Sequence, residues 1–296
     1  MTAIGFVGLG AMGGPIAGRL LAAGNVVHGT NRTRSKADAL VDRGLSWCDS
    51  PREVAEQAEV VFSMVTGTEA LGAIAHGPDG ILAGLRPGSV YVEMSTVSPD
   101  ASRELAQLVQ EVDAVMLEAP VSGSVPAAEE GILTIMVGGD PAAFARVEPL
   151  LRQLGQTVTH IGANGKALMM KLAINISLPV QMIAFSEGVL LAERAGIDPQ
   201  LAIEVLSSSA IGSPMLRMRG PLVLDRPDDA WFDVELMQKD VALSLEQGRR
   251  LQVPLLTASI ANELLTAARA LGYGTHDMVA VFDVLAHLAG RDAVSA

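Results

Sequence analysis

Lys171 and Asn175 stand four residues apart in KALMMKLAIN, residues 166 to 175, where Lys171 is the only charge beyond the first residue. On a helix that spacing puts both side chains on one face. A positioned ammonium can stabilise negative charge growing on an oxygen and hand it a proton. An amine suits that work because partial burial moves it toward deprotonation, whereas a guanidinium keeps its proton. The plainer reading of Lys171 alone is a lysine whose stem lies on apolar surface while its head reaches water. Pro179 follows four residues after Asn175. Its ring has no N–H and clashes with the carbonyl four residues back, so the helix is expected to bend there and the Asn175 carbonyl to lose its helical partner.

A second candidate is the turn in IGFVGLGAMGGPIAGRL, where Gly8, Gly10 and Gly13 keep the G-x-G-x-x-G spacing, with Ala11 and Met12 inside it and Pro15 just after. The pattern follows a strand-like run and opens a helix. In that setting the glycines serve a tight turn, close approach to a pyrophosphate and close helix-to-strand packing, and the helix N-terminus presents N–H groups to the anion. Dinucleotide binding is therefore expected.

Asn31, Arg32 and Thr33 follow the second strand-like run, where an NAD site carries an Asp or Glu for the ribose 2′-hydroxyl. Without that carboxylate a 2′-phosphate meets no repulsion, and Arg32 can bond to it, so NADP is expected over NAD. The bland alternative for the cations of RTRSK, residues 32 to 36, is a solvated loop.

Ligands in open α/β sheets sit at the carboxyl ends of strands. Three such ends carry polar groups: MVTGTEA with Met64 and Val65, EMSTVSP with Ser95 and Thr96, and EAPVSGSVPA with Ser122 and Gly123. Ser95 and Thr96 suit either a nicotinamide ribose or the cap of the helix from Pro99. Ser122 and Gly123 suit a carboxylate. Lys239 and Asp240, taken as residues, read as a surface pair on a solvated helix. Ser213, Trp231 and Phe232 suit a pocket wall, although core packing explains the aromatics equally, and the methionines at 169, 170, 215, 218 and 237 read as core filler.

These residues need a scaffold to position them. Seven strand-like runs, AIGFVG, NVVHG, VVFSMV, SVYVEM, AVMLEA, LTIMVG and TVTHI, alternate with helical stretches up to about Gly162. Alternation of this kind predicts a largely parallel, doubly wound sheet of Rossmann type. Beyond it, residues 164–195, 198–208, 233–251, 254–271 and 277–288 read as helices, giving an α/β domain over 1–162 and an all-helical domain over 163–296 that begins with a long helix.

With 49% hydrophobic and 18% charged residues among 296, the chain is globular rather than disordered. A net charge of −12 argues against a nucleic-acid partner. No membrane span is expected, because no uncharged apolar run reaches about 18 residues. The N-terminus lacks the basic region of a signal peptide, which makes the cytoplasm the expected location. Cys48, the single cysteine, excludes an intramolecular disulfide and a cysteine-based zinc site, and reads as a small core residue. The five histidines show no ligand spacing, so no metal is expected.

The glycine turn, EAPVSGS, the lysine and asparagine of the Gly165 to Asn175 region and QKDVALSLE, in that order, resemble the β-hydroxyacid dehydrogenases over essentially the whole chain. That family includes 3-hydroxyisobutyrate dehydrogenases, tartronate semialdehyde reductases and glyoxylate/succinic semialdehyde reductases. Asn31-Arg32-Thr33 and Ser124 lean toward the last branch, while MVTG at 64–67 departs from the Leu-Pro of many relatives.

The resemblance implies a 6-phosphogluconate dehydrogenase-like architecture and hydride transfer between a nicotinamide and a small semialdehyde or 3-hydroxy acid. It makes Lys171 the catalytic lysine with Asn175 its polar partner. Ser122, Gly123, Phe232 and Asp240 bind substrate. Met64, Val65, Thr96 and Lys239 touch the cofactor, and Lys239 with Asp240 closes the site from the helical domain. Apart from the resemblance, the apolar character of the helical domain makes a homodimer or homotetramer the expectation. Two other readings share the glycine turn: an imine reductase, against which Lys171 argues, and a non-catalytic dinucleotide-binding scaffold, whose members tend to lose the lysine and gain basic extensions.

Overall fold

The computed structural model describes residues 3–290 and divides into two compact units, Met1–Lys171 and Leu172–Ala296. The first holds nine strands: Ala3–Val7 (β1), Val26–Thr30 (β2), Ser46–Trp47 (β3), Val60–Ser63 (β4), Val90–Glu93 (β5), Val115–Glu118 (β6), Val121–Ser122 (β7), Thr134–Gly138 (β8) and Thr157–Gly162 (β9). All form one sheet in the order β3-β2-β1-β4-β5-β6-β8-β7, with β9 on β8. Strands β1 to β6 pair in parallel, with Phe6 beside Phe62 and Glu93 beside Glu118 in register. β8 runs antiparallel to β6 and β7 and parallel to β9, so the sheet is mixed at this edge. The expected parallel sheet holds for β1 to β6. Two residues each, β3 and β7 are too short to show a period in the sequence, and neither is among the seven strand-like runs.

Both faces of this sheet are covered, which is why its strands read as unbroken apolar runs rather than alternating ones. Ile4, Phe6, Val60, Phe62, Val90 and Val92 enter one core with Ile16 and Leu20 of the helix Gly13–Ala22. Their neighbours Val7, Val61, Tyr91 and Met116 enter the other, with Leu105 and Val109 of Pro99–Glu111. The Phe6 and Phe62 rings stack with centroids 6.0 Å apart. Cys48 belongs to the second core, as its size predicts.

The helical unit follows its punctuation. Asp198, Ser213 and Asp233 each accept an N–H from the first turn of the helix they precede, Pro199–Ser208, Pro214–Arg219 and Val234–Arg250. The short Pro214–Arg219 helix lies where a break alone was expected. The core joins Met182, Phe185 and Val189 of Ser177–Arg194 to Met237, Val241, Leu265 and Phe282. Met237 is buried as expected, but Met170 and Met218 are exposed, so the methionines are not all core filler.

The long helix expected over 164–195 is two segments, Lys166–Asn175 and Ser177–Arg194. Ile176, between them, keeps right-handed helical dihedrals (φ −61°, ψ −28°) and its N–H donates to the Leu172 carbonyl at 3.1 Å; the bond lost from the ladder is that to the Asn175 carbonyl, because Pro179 has no N–H to give it. Taken together the segments span 29 residues, Lys166–Arg194, long and apolar enough to cross a membrane by length and composition. That amends the expectation that no segment qualifies. Met182, Ile183, Phe185, Val189 and Leu190 of Ser177–Arg194 enter the core of their own unit, while Leu191 is exposed.

Candidate active site

The glycine turn has the geometry its spacing asks for. Gly8 sits at φ +97°, and a Cβ there would lie 2.3 Å from the Met64 carbonyl oxygen. A Cβ at Gly13 would lie 1.9 Å from the Gly8 carbonyl oxygen, so helix and strand end can meet only if both residues are glycine. At Gly10 a Cβ would meet nothing within 4 Å. The backbone there faces open space, as an approaching pyrophosphate requires, and no side chain caps the helix from Gly13. The residues present therefore fit a dinucleotide.

Asn31 closes this turn onto the loop after β2. Its Oδ1 accepts the Leu9 N–H at 3.0 Å and its Nδ2 donates to the Thr33 carbonyl at 2.8 Å. Arg32 and Thr33 are exposed beyond it. Arg34 lies 5.0 Å from the centre of the Trp47 ring, so one cation of the RTRSK cluster already has an aromatic partner.

At the ends of β4 and β5, Ser95 is buried and used within the protein. Its hydroxyl accepts the Val65 N–H at 2.8 Å, and its own N–H donates to Glu93 Oε1 at 2.8 Å. This overturns the capping role expected of Ser95, since the helix Pro99–Glu111 begins at Ser98 with no side-chain cap. The tie fixes the Val65 backbone to the end of β5, where half-buried Thr96 follows Ser95 in the chain. At the next strand end, Ser122 pairs with Thr134 across β7 and β8, and Gly123 adopts φ +128°.

Lys171 is half-buried on the helix Lys166–Asn175, here called the lysine helix, and Asn175 is 1% exposed on the same helix. Asn175 Nδ2 donates to Asp240 Oδ2 at 2.6 Å, and Asp240 Oδ1 pairs with Lys239 Nζ at 2.8 Å. Asp240 is 2% exposed, which overturns its reading as a solvated surface charge. Its oxygens are engaged with two protein partners. Phe232 is half-buried against the helical core, and Asp277 holds it by accepting its N–H and that of Trp231 at 3.1 and 3.0 Å.

Sequence reasoning missed Glu118, fully buried at the end of β6. Its Oε1 accepts N–H groups of Ala167 and Leu168 at 2.8 and 3.3 Å, the Gly165 N–H also donates to the carboxylate, and Oε2 accepts the Ser102 hydroxyl at 2.9 Å. Burial pushes the carboxyl above its ordinary range, against the pull of these donors. A signal existed: the residue before the lysine helix is Gly165, which offers no side-chain cap, and Glu118 ends an otherwise apolar strand. Among the described residues, no group of three or more His, Cys, Asp or Glu side chains is gathered as a metal site requires.

An α/β unit with an open glycine turn, followed in the chain by a helical unit, defines a nicotinamide-dinucleotide oxidoreductase fold of the 6-phosphogluconate dehydrogenase type. Residues 3–162 match the family model described as the NAD binding domain of 6-phosphogluconate dehydrogenase. Residues 165–285 match that described as the NAD-binding of NADP-dependent 3-hydroxyisobutyrate dehydrogenase. The chain belongs to the 3-hydroxyisobutyrate dehydrogenase-like β-hydroxyacid dehydrogenase family, a family of NAD(P)-dependent oxidoreductases.

Among its relatives, glyoxylate/succinic semialdehyde reductase 2 of Arabidopsis thaliana is 35% identical over 99% of this chain and 82% of its own length. The 2-hydroxy-3-oxopropionate reductase of Escherichia coli is 34% identical over 97% and 98%. A solved structure, the 3-hydroxyisobutyrate dehydrogenase of Mycobacterium tuberculosis with L-serine, superimposes with a TM-score of 0.85 at 29% identity, covering 96% of this chain and 99% of that one.

Proposed function

We propose that this protein is an NADP(H)-dependent reductase of a small carboxylate-bearing semialdehyde, acting in reverse on the 3-hydroxy acid, with Lys171 as general acid and base. The observation that carries this reading is the lysine helix itself, where Lys171 shares a face with an Asn175 fixed by the buried carboxylate of Asp240. When bound, NADPH supplies the hydride that becomes the new C–H bond of the alcohol. As the carbonyl π electrons withdraw onto oxygen, the Lys171 ammonium stabilises that oxygen and gives it the proton that completes the hydroxyl. The neutral amine then regains a proton from water. In the reverse direction the amine takes the hydroxyl proton.

The other residues bind and orient. Ser122 and the backbone at Gly123 suit the substrate carboxylate. Asn175 orients the reacting oxygen, and Phe232 supplies apolar wall. Thr96, Met64, Val65 and the turn from Gly8 to Gly13 would hold the cofactor, with Lys239 near its nicotinamide end.

NADP is favoured because no carboxylate stands after β2 and Arg32 is exposed there. The description of the family model matching residues 165–285 also names NADP. The Arabidopsis and Escherichia coli relatives are named for glyoxylate, succinic semialdehyde and 2-hydroxy-3-oxopropionate, all acids that carry an aldehyde. Exposed Leu191, Leu256 and Ile260 of the helical unit support a homo-oligomer, which sedimentation tests.

The deciding experiment is steady-state kinetics with glyoxylate and with succinic, tartronate and methylmalonate semialdehydes, plus L-serine, each with NADP(H) and NAD(H). Turnover of one semialdehyde with NADPH at higher kcat/KM than with NADH is expected. No turnover of any aldehyde acid with either cofactor would remove the reading.

A further inference from the structure

The lysine helix begins without a cap of its own. Gly165 precedes it at φ +91° and brings no side chain to its first-turn N–H groups. The missing acceptor comes from another strand: Glu118, forty-nine residues before Ala167, accepts the N–H groups of Gly165, Ala167 and Leu168. Ser102, on the helix Pro99–Glu111, donates its hydroxyl to the other carboxylate oxygen and so holds the carboxylate from its far side. The surroundings are shaped to this arrangement. A Cβ at Gly138, paired with Glu118 in register, would lie 2.5 Å from Glu118 Oε1, and a Cβ at Gly165 would lie 2.2 Å from Arg103 Nη1.

Ala167 and Leu168 stand four and three residues before Lys171, so the amides that Glu118 holds lie one turn from the lysine and on its side of the helix. We infer that Glu118 is a positioning residue for Lys171. It fixes the rotation and start of the lysine helix from the sheet, with Ser102 as its brace. The inference rests on the assignment of Lys171 made above.

The test compares full-length Glu118→Leu, Glu118→Gln, Ser102→Ala and Lys171→Ala. For each, kcat and KM are measured with the best aldehyde substrate, and hydrogen exchange is followed at the amides of residues 165 to 168. Leu fills the space of Glu118 without accepting a bond; Gln keeps the acceptor oxygen and removes the charge.

In Glu118→Leu, kcat is expected to fall about tenfold or more, as for a misplaced catalytic group, with the KM for NADPH within about twofold. Exchange at 165 to 168 is expected to quicken about fivefold or more, the loss of one cap. Glu118→Gln restores both. If Glu118→Leu does not fold, Ser102→Ala decides, with a smaller fall in kcat and faster exchange at the same amides expected.

Unchanged kcat in the folded variants, beside an inactive Lys171→Ala, overturns the inference and leaves the proposed function intact. So does a fall in kcat with unchanged exchange. Full activity in Lys171→Ala overturns the proposed function itself, and with it the role given to Glu118.

Discussion

The side-chain amide of Asn175 donates a 2.6 Å hydrogen bond to Oδ2 of Asp240, sixty-five residues along the chain, and both residues are buried. The other oxygen of Asp240 meets Lys239 Nζ at 2.8 Å. A buried carboxylate is tolerated when it is paired and hydrogen-bonded, and here it is both. Asn175 is therefore fixed in one orientation on the lysine helix by a group from the helix Val234–Arg250.

Asp240→Ala removes the acceptor and leaves the Asn175 amide buried. We expect a loss of about 1 to 3 kcal/mol in unfolding free energy, measured in urea, and a fall in kcat. Asp240→Asn keeps an acceptor oxygen and should recover most of the stability. Equal stability of Asp240→Ala and the parent would mean that the bond contributes nothing.

Lys171→Ala tests the proposed chemistry directly. NADPH binding, followed by its fluorescence, should be retained while kcat drops by about 10² to 10⁴, the size of a lost general acid. Near-normal turnover would exclude Lys171 from proton transfer.

Arg32→Ser addresses the cofactor. Loss of a charge-assisted bond to the 2′-phosphate should raise the KM for NADPH by about tenfold or more and leave that for NADH nearly unchanged. Equal effects on the two cofactors would move the 2′-phosphate contact elsewhere, with Arg34 held over Trp47 as the next residue to test.

Glu118 gives stability a pH dependence of defined sign. Burial raises its pKa in the folded state, against the opposing pull of its N–H and hydroxyl donors, so folding favours the protonated form. That contribution is complete below the unfolded-state value and is lost as pH rises through the raised folded-state value. Glu118→Gln removes this titration, so its stability relative to the parent should increase as pH rises from the ordinary carboxyl range toward neutrality. Urea unfolding across that range checks it, and a constant difference would show that the carboxyl titrates alike in both states.

Arg219 and Asp277 form an ion pair, with side chains 7% and 1% exposed. Asp277 also accepts the N–H groups of Trp231, Phe232 and Val279. Arg219→Met leaves this carboxylate buried without its cation and should cost about 3 kcal/mol or more. A thermal midpoint equal to that of the parent would contradict it.

Local chemistry made much of this protein legible before any coordinates. The glycine turn could be read because its three positions answer steric demands within six residues, now visible as contacts of 2.3 and 1.9 Å that a Cβ would make. The main strands could be read because burial on both faces makes each a short unbroken apolar run, and the helices because burial of one face imposes a period of 3.6. The two-residue strands β3 and β7, and the helix Pro214–Arg219, were too short to show a period.

The polar groups behave differently. Lys171 and Asn175 announce themselves by helical spacing, but the partner of Asn175 lies sixty-five residues away, the capping carboxylate forty-nine residues before Ala167, and the hydroxyl that holds Val65 thirty residues beyond it. No local pattern encodes such pairs, because each depends on which strands and helices pack together. By itself the sequence determined the class of fold, the dinucleotide turn and the lysine with its asparagine. Only the tertiary structure decided that Asp240 is buried rather than solvated, that the Ser95 hydroxyl ties two strand ends, and that Glu118 starts the lysine helix, since burial leaves each of these polar atoms dependent on a partner the chain brings from afar.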